Sequence, residues 1–344
     1  MVTAKRARIQ DVAAKAGVSN MTVSRVLNQD GKVSDAKRAL VMEAVKALNY
    51  RPNVAARRLA SNKSFFIGLL YMDLDTSYVS KFLLRGLKSC RSTGHHLVVD
   101  EIDEDIEKSI ASVNELIEVT RVDGLILLPP ICDDEKLLKT LQEANVTFVR
   151  IAPDTQLSIS PYICMDDYQA AFEVTEGLIK KGHRKIGHII GNPNQGVSRL
   201  RYQGYLDALR SNQINVPPEY IEQGLFTYNS GVVAAEKILS SEDRPTAIFA
   251  ANDEMAAAAL SVAHKFSISV PEELSIAGFD DGHIAVTVSP NLTTVRQPIQ
   301  QMAELAIDII SSGKFKDLAN ANPREFRNVL DFEIVERDST TTAK

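Results

Sequence analysis

At 344 residues, with 44% hydrophobic and 24% charged positions, the chain has the make-up of a soluble globular protein of about two domains, long enough to bury a sizeable core. Its net charge of −5 hides an asymmetry: residues 1 to 63 hold thirteen Lys or Arg against four Asp or Glu, a net +9, which leaves −14 on the remainder. A basic leading piece on an acidic body fits a nucleic-acid module attached to a domain that does not itself touch DNA.

The opening MVTAKRARIQDV has no apolar leader core, and no run approaches the roughly 18 apolar residues of a membrane span, so a cytoplasmic protein without membrane contact is expected. From Ile9 to Leu27 the chain reads IQDVAAKAGVSNMTVSRVL. Val12, Ala13 and Ala16 keep helical spacing, Gly17 interrupts, and Ser19 offers a hydroxyl to cap a second helix whose apolar side is Val23, Val26 and Leu27. Small Ala13 lets the helices cross closely, Gly17 can adopt the positive φ of a tight turn, and Val18 and Val23 can fill the angle. The outward side of the second helix carries Asn20, Met21, Thr22, Ser24, Arg25 and Asn28. Arg pairs bidentately with guanine, Asn with adenine, and short hydroxyls reach phosphates, so this helix is equipped for a major groove.

Val33-Ser34-Asp35 starts a third helix through Ala39, Leu40, Met42, Ala44, Val45 and Leu48, whose stripe can close an all-α three-helix head. Tyr50-Arg51-Pro52 ends it, because the residue before proline avoids the helical region. Asn53 can then cap a short helix, Val54 to Ala60, too short to be stable alone. Arg57 and Arg58 suggest that DNA holds it.

From Phe65 onwards apolar strands alternate with amphipathic helices. Strands are expected at 65–71, 96–101, 124–128, 147–151 and 162–165, with helices near 78–93, 107–120 and 134–144. A second series follows: helix 168–181, strand 185–190, helix 197–212, strand 221–226, helix 230–240, strand 246–250, helix 253–265 and strand 274–279. Continuous apolar strands separated by helices imply parallel sheets covered on both faces, and two series imply two lobes. Leu292–Val295, a helix over 297–311 and a last strand over 325–335 return across both lobes. The tail after Arg337 is polar and has no leucine heptad. Cys90, Cys132 and Cys164 are widely spaced, which indicates neither zinc site nor disulfide framework. His183 and His188, flanking one strand, read as structural. No motif asks for a cofactor or a metal.

With these pieces named, the chain resembles the lactose-repressor and galactose-repressor (LacI/GalR) family of bacterial transcription regulators along nearly its whole length. The matching stretches are DVAAKAGVSNMTVSRVLN, VSDAKRALVMEAVKALNYRPNVAARRLA, KKGHRKIGHIIG, SRLRYQGY, PTAIFAANDEMAAAAL, VPEELSIAGFDD and LTTVRQP. The resemblance implies a helix-turn-helix head at 1–49, a hinge and linker at 50–63, and a two-lobed α/β body at 64–338 like the periplasmic binding proteins. One lobe would take about 64–163 and 294–323, the other about 164–293 and 324–338, leaving 339–344 as a polar tail. It further implies that Asn20, Met21 and Arg25 meet base edges, Met21 by apolar contact, with Ser19, Thr22, Ser24 and Asn28 nearer the backbone. Leu59 would be a minor-groove lever inserted by both subunits, with Asn53, Ala56 and Arg57 beside it on DNA.

For a small-molecule effector, the resemblance carries over to Arg201, Phe226, Asn252, Asp280 and Gln297, and less strongly to Asp73, Ser77 and Tyr78 after the first strand. Arg201 and Asp280 can fork onto vicinal hydroxyls, Asn252 can donate and accept, and Phe226 offers a flat face to a sugar ring. An ion pair of Arg201 with Asp280 between the lobes, and a core role for Phe226, are the plainer readings. Where the family often has a carboxylate after its fourth strand, this chain reads RIAPD, so that Asp154 substitutes or the ligand differs. The function so implied is a homodimeric repressor of carbohydrate-use genes on a near-palindromic operator, not an enzyme, with a sugar or sugar derivative as effector. The alternatives are a co-repressor-dependent regulator of another pathway, an architectural DNA binder, a sugar-binding transport protein, and a sugar- or nucleoside-metabolising α/β enzyme. The last lacks any G-x-G-x-x-G after a strand, G-x-x-x-x-G-K-[ST] or G-x-S-x-G.

Overall fold

The computed structural model describes residues 7–27, 33–50, 64–72, 77–103, 105–315 and 317–344. The chain divides into two compact units, Met1–Phe65 and Phe66–Lys344. In the first, α1 (Ile9–Ala16) and α2 (Asn20–Leu27) are joined at Gly17, whose φ of 65° is open to glycine at little cost. Ser19 caps α2, its Oγ accepting from Thr22 N–H at 3.2 Å. The third helix, α3 (Asp35–Ala47), completes a small core of Val12, Ala13, Ala16, Val23, Val26, Val41 and Ala44. One expectation fails here: Leu40 and Met42, assigned to the packing stripe of α3, are each 50% exposed, and Val41 is buried instead. At 100° per residue, Val41, Ala44, Val45 and Leu48 share one face, and the residues on either side of Val41 turn outward.

The second unit is two α/β lobes. The first sheet is wholly parallel, in the order β11-β5-β4-β3-β1-β2, with β1 at Phe66–Tyr71, β2 at His96–Glu101, β3 at Gly124–Leu127, β4 at Phe148–Ile151, β5 at Tyr162–Cys164 and β11 at Arg327–Val329. The second, also parallel, runs β7-β6-β8-β9, with β6 at Ile186–Ile190, β7 at Ile221–Gln223, β8 at Ala247–Ala250 and β9 at Ser275–Ala277. Helices cover both faces: α4 (Ser77–Thr93), α5 (Ile106–Glu115), α6 (Glu135–Glu143) and α11 (Ile299–Ser312) in the first lobe, and α7 (Asp167–Lys180), α8 (Gly196–Ser211), α9 (Tyr228–Leu239) and α10 (Asp253–Lys265) in the second. A single apolar cluster runs from Leu69, Phe82 and Met302 in the first lobe to Ile186, Tyr205 and Phe279 in the second.

The expected last strand, 325–335, is two strands. β11 extends the edge of the first sheet, and β12 (Glu333–Val335) pairs antiparallel with β10 (Thr294–Arg296). One straight strand cannot serve both, so the chain turns between them, and the part of 324–338 at Arg327–Val329, expected in the second lobe, lies in the first sheet. The helix expected to 120 leaves α geometry at Leu116, where a wider turn runs to Thr120 and Arg121 closes it at a φ of 55°. The polar tail is not loose. Ile276 N–H donates to Ser339 O at 2.8 Å, Ser339 Oγ donates to Ile276 O at 2.6 Å, and Ala343 N–H donates to Lys181 O at 2.8 Å, so the tail covers the open edge of β9. His188 lies within β6 rather than beside it, stacked on Tyr205 and tilted against Phe249, with Nδ1 on Phe249 O at 2.8 Å.

Candidate functional site

Two places collect the candidate residues. On α2, Ser19, Asn20, Met21 and Arg25 are exposed, Met21 by 64%, and Thr22 and Ser24 are half-buried beside them. Val23 and Val26 anchor the opposite face, so the helix is held rigid while its polar side stays outward. Ser19 and Thr22 are already joined, Oγ to Oγ1 at 3.0 Å. Asn28, Asn53, Ala56, Arg57 and Leu59 lie outside the described residues.

The second place is at the carboxyl ends of both sheets, where open α/β folds bind ligands. Arg201, on α8, is buried. Its Nε donates to Asp167 Oδ1 at 2.8 Å, its Nη1 to Ala251 O at 2.7 Å, and its guanidinium carbon lies 3.6 Å from the Phe279 ring centre and 5.6 Å from that of Phe226. Asp280 Oδ1 is farther from it, at 3.9 Å, and accepts from Gln297 Nε2 at 2.6 Å. Arg201 and Asp280 do form a long ion pair, but within the second lobe rather than between lobes, and the nearer partner of Arg201 is Asp167. The expected set missed Asp167. Its trace in the sequence is the Asp166-Asp167 pair directly after a strand, where Asp166 caps α7 through Gln169 N–H and leaves Asp167 to turn inward.

Asn252 ends β8 and caps α10, accepting from Met255 N–H at 3.0 Å while its amide donates to Phe226 O at 2.8 Å. That bond fixes Phe226 in the left-handed region, φ 65°, with its ring on Gly191 at the end of β6, where any side chain would overlap it. Strand β7 stops at Gln223, short of the expected 226. From the first lobe, Tyr78 reaches Met302 Sδ with its hydroxyl at 3.9 Å, and Ser77 packs on Gly282. Asp73 lies outside the described residues. Tyr78, Arg201, Phe226, Asn252, Asp280 and Gln297 are thus brought to one region.

Charge in this region is unbalanced. Burial pushes the Asp280 carboxyl up to about 6, against the pull of Arg201 and Gln297. Asp253, at the start of α10, is raised well above the carboxylate range by burial and by Asp280, although Thr294 Oγ1 and Gly282 N–H donate to it at 2.6 and 2.7 Å. Burial also raises Asp167 despite Arg201, and raises the Tyr78 hydroxyl, with Asp167 and Asp280 adding to it. Burial holds His188 down at about 3, so it stays neutral. Two buried carboxyls, Asp167 and Asp280, thus lie beside the stacked Arg201 guanidinium, with Asp253 next to Asp280, so hydrogen-bonding groups and the Phe226 ring share one region.

The carboxylate question after β4 has a definite outcome. Arg150 is fully buried and tied up by the loops after β3 and β4, its guanidinium donating to Thr155 O at 2.9 Å, Gln156 O at 2.7 Å, Cys132 O at 3.3 Å and Ser160 Oγ at 3.0 Å. Asp154 faces the second lobe and pairs with Arg199 at 2.6 Å, so it does not join the Arg201 cluster. A hollow of about 790 Å³ beside Leu260, His264 and Pro290 lies away from the strand ends and gathers no such cluster.

Comparison with known proteins gives a consistent picture. Residues 8–53 match the model for bacterial regulatory proteins of the lacI family, and residues 175–340 match a periplasmic binding protein-like domain. Catabolite control protein A of Priestia megaterium is 31% identical over 326 residues, 94% of this chain and 97% of that protein. The ribose operon repressor of Escherichia coli K12 is 34% identical over 313 residues, 88% of this chain and 92% of that repressor. Among solved structures, the Lac repressor dimer bound to operator and an anti-inducer superposes with a TM-score of 0.74 at 28% identity, covering 98% of this chain and all of that one.

Proposed function

The chain belongs to the lacI family of bacterial regulatory proteins, a DNA-binding repressor with an effector-binding body, and from that premise we propose how it works and on what. It acts as a homodimer on a near-palindromic operator and represses genes of carbohydrate use, with a sugar or sugar derivative in the cleft at the strand ends setting its operator affinity. The observation that carries this reading is the cluster around Arg201, where buried acceptors and the Phe226 face match a hydroxylated ring. Relatives named for ribose and bound to operator as a dimer support it.

On the DNA side, Asn20, Met21 and Arg25 read base edges, and Ser19, Thr22, Ser24 and Asn28 approach phosphates. The 50–63 linker, with Asn53, Ala56, Arg57 and Leu59, becomes helical against its twin in the minor groove. In the body, Tyr78, Arg201, Phe226, Asn252, Asp280 and Gln297 surround the effector, with Ser77 and Asp73 at the first-lobe rim. Binding alone is the activity, with no covalent step, and the protein works in the cytoplasm where its operator lies. Among the described residues no helix is long and apolar enough to cross a membrane. A sugar that favours the lobe geometry unsuited to DNA acts as inducer, and by reciprocity it binds more weakly when operator is present, by about 1 to 3 kcal/mol.

The deciding experiment is a gel shift on the chain's own upstream DNA and on random DNA across a salt series, repeated with simple sugars added. A preference of about a thousandfold or more for the specific site is expected, relieved by at least one sugar. Equal affinity for the two DNAs would end the regulator reading. A specific complex that no small molecule alters would end the effector half.

A further inference from the structure

We propose that Asp154, Gly196 and Arg199 form a latch between the two lobes of the body, so that the opening equilibrium of the cleft is set by a contact outside the cluster that surrounds Arg201. Asp154 lies in the loop after β4, in the first lobe. Arg199 and Gly196 lie in the first turn of α8, in the second. Arg199 Nη2 donates to Asp154 Oδ1 at 2.6 Å, and a Cβ on Gly196 would fall 2.7 Å from Asp154 Oδ2 and closer still to the carbons behind it. Only a residue without a side chain admits the carboxylate here.

The carboxylate also meets an end of α8 that its own lobe leaves unserved. Asp166, Thr227 and Asn252 cap α7, α9 and α10 with their side chains, whereas Gln195 makes no such bond to α8 and the first turn of α8 holds no acid. Asp154 brings a negative charge to the positive end of this 16-residue helix from across the cleft. It arrives already ordered. Asp133 accepts from Asp154 N–H at 2.9 Å and from Thr155 N–H at 3.0 Å, and Arg150 holds the carbonyls of Thr155 and Gln156 from beneath. A surface ion pair normally loses most of its Coulomb gain to ordering two flexible side chains, and here the loop has removed half of that cost. The lobes also meet where Lys81 donates to Asp281 O, so Asp154 closes one margin of an interface that α4 closes elsewhere.

The test uses the full chain with spin labels at Leu157→Cys and Gln203→Cys, in a Cys164→Ser background, diluted into excess unlabelled chain so that each dimer carries one labelled protomer. Pulsed dipolar distances are recorded with no small molecule added. Asp154→Asn and Arg199→Gln are each expected to raise the long-distance fraction about two- to fivefold, and the double variant no further than either alone. Gly196→Ala is expected to raise it too, although alanine favours helix over glycine and would by itself steady α8. Distributions identical to the parent in all variants, or effects of the two polar changes that simply add, would overturn the latch. The proposal rests on the reading of the body as a clamshell, but its readout needs neither effector nor operator, so its failure would leave the regulator reading intact.

Discussion

Asp280 shows most clearly what one residue contributes. It sits at a φ of 111°, in backbone that few side chains adopt, with Gln297 donating to it and Asp253, Asp167, Arg201 and Lys81 as its charged neighbours. Its carboxyl is raised to about 6 from 3.8, so the folded chain binds this proton more tightly than the unfolded chain does. The contribution to stability is therefore favourable in acid and is lost as the pH rises from about 4 to about 6, the reverse of a salt-bridged carboxylate. Asp280→Asn should gain melting temperature relative to the parent on going from pH 4.5 to 7.5, read from parallel thermal melts. A difference that stays flat over that range would mean that the charge is accommodated without cost. His188 does not interfere, because burial keeps it neutral throughout. The family resemblance made Asp280 legible as a candidate site residue from the GFDD stretch. Its true neighbours were not, because Asp167 and Asp253 are remote in sequence and meet it only through the convergence of strand ends.

At the scale of elements, Arg150 acts as a bolt between two loops. Its carbonyl partners at Cys132, Thr155 and Gln156 come from the segments after β3 and β4, and Asp133 stands 3.6 Å away. Arg150→Met keeps the bulk but leaves those acceptors buried without a donor. A loss of about 3 to 5 kcal/mol is expected in urea unfolding of the body, the usual scale for removing one member of a buried charged network. A loss under about 1 kcal/mol would show that water replaces the guanidinium. The two-helix unit at the start is the opposite case. Helical spacing, Gly17 and the Ser19 cap are local features, and the structure has them where the sequence put them. The stripe of α3 was misread because Leu40, Val41 and Met42 are equally apolar, and only the facing helices select Val41. Likewise the apolar run ending at Val335 could not reveal that it divides between two sheets, since both halves have strand character.

At the scale of the whole molecule, a basic leading piece precedes an acidic body, and the proposed mechanism requires the 50–63 segment to report on the lobes. Leu59→Ala is expected to weaken binding to the specific operator by about 10- to 100-fold, on the order of the few kcal/mol involved in wedging one base step, without changing the effector affinity of the body. Fluorescence anisotropy on operator DNA, paired with calorimetric titration of the effector found by gel shift, checks both halves. Unchanged operator affinity would remove Leu59 from the interface. Equal amide-exchange protection of residues 53 to 60 in free and operator-bound chain would remove the folding of the linker from the mechanism.

What the amino-acid order settled alone is whatever depends on neighbours a few residues apart: the helix-turn-helix, the alternation of strand and helix, and the segregation of charge. These follow from periodicity and capping, which act within one or two turns of chain. The tertiary structure alone decided which charges share a buried space, that Arg150 faces inward while Asp154 faces the other lobe, and that the terminal residues complete the edge of β9. Such choices turn on desolvation and on contacts between segments that belong to different elements, and no local pattern encodes the distance between them.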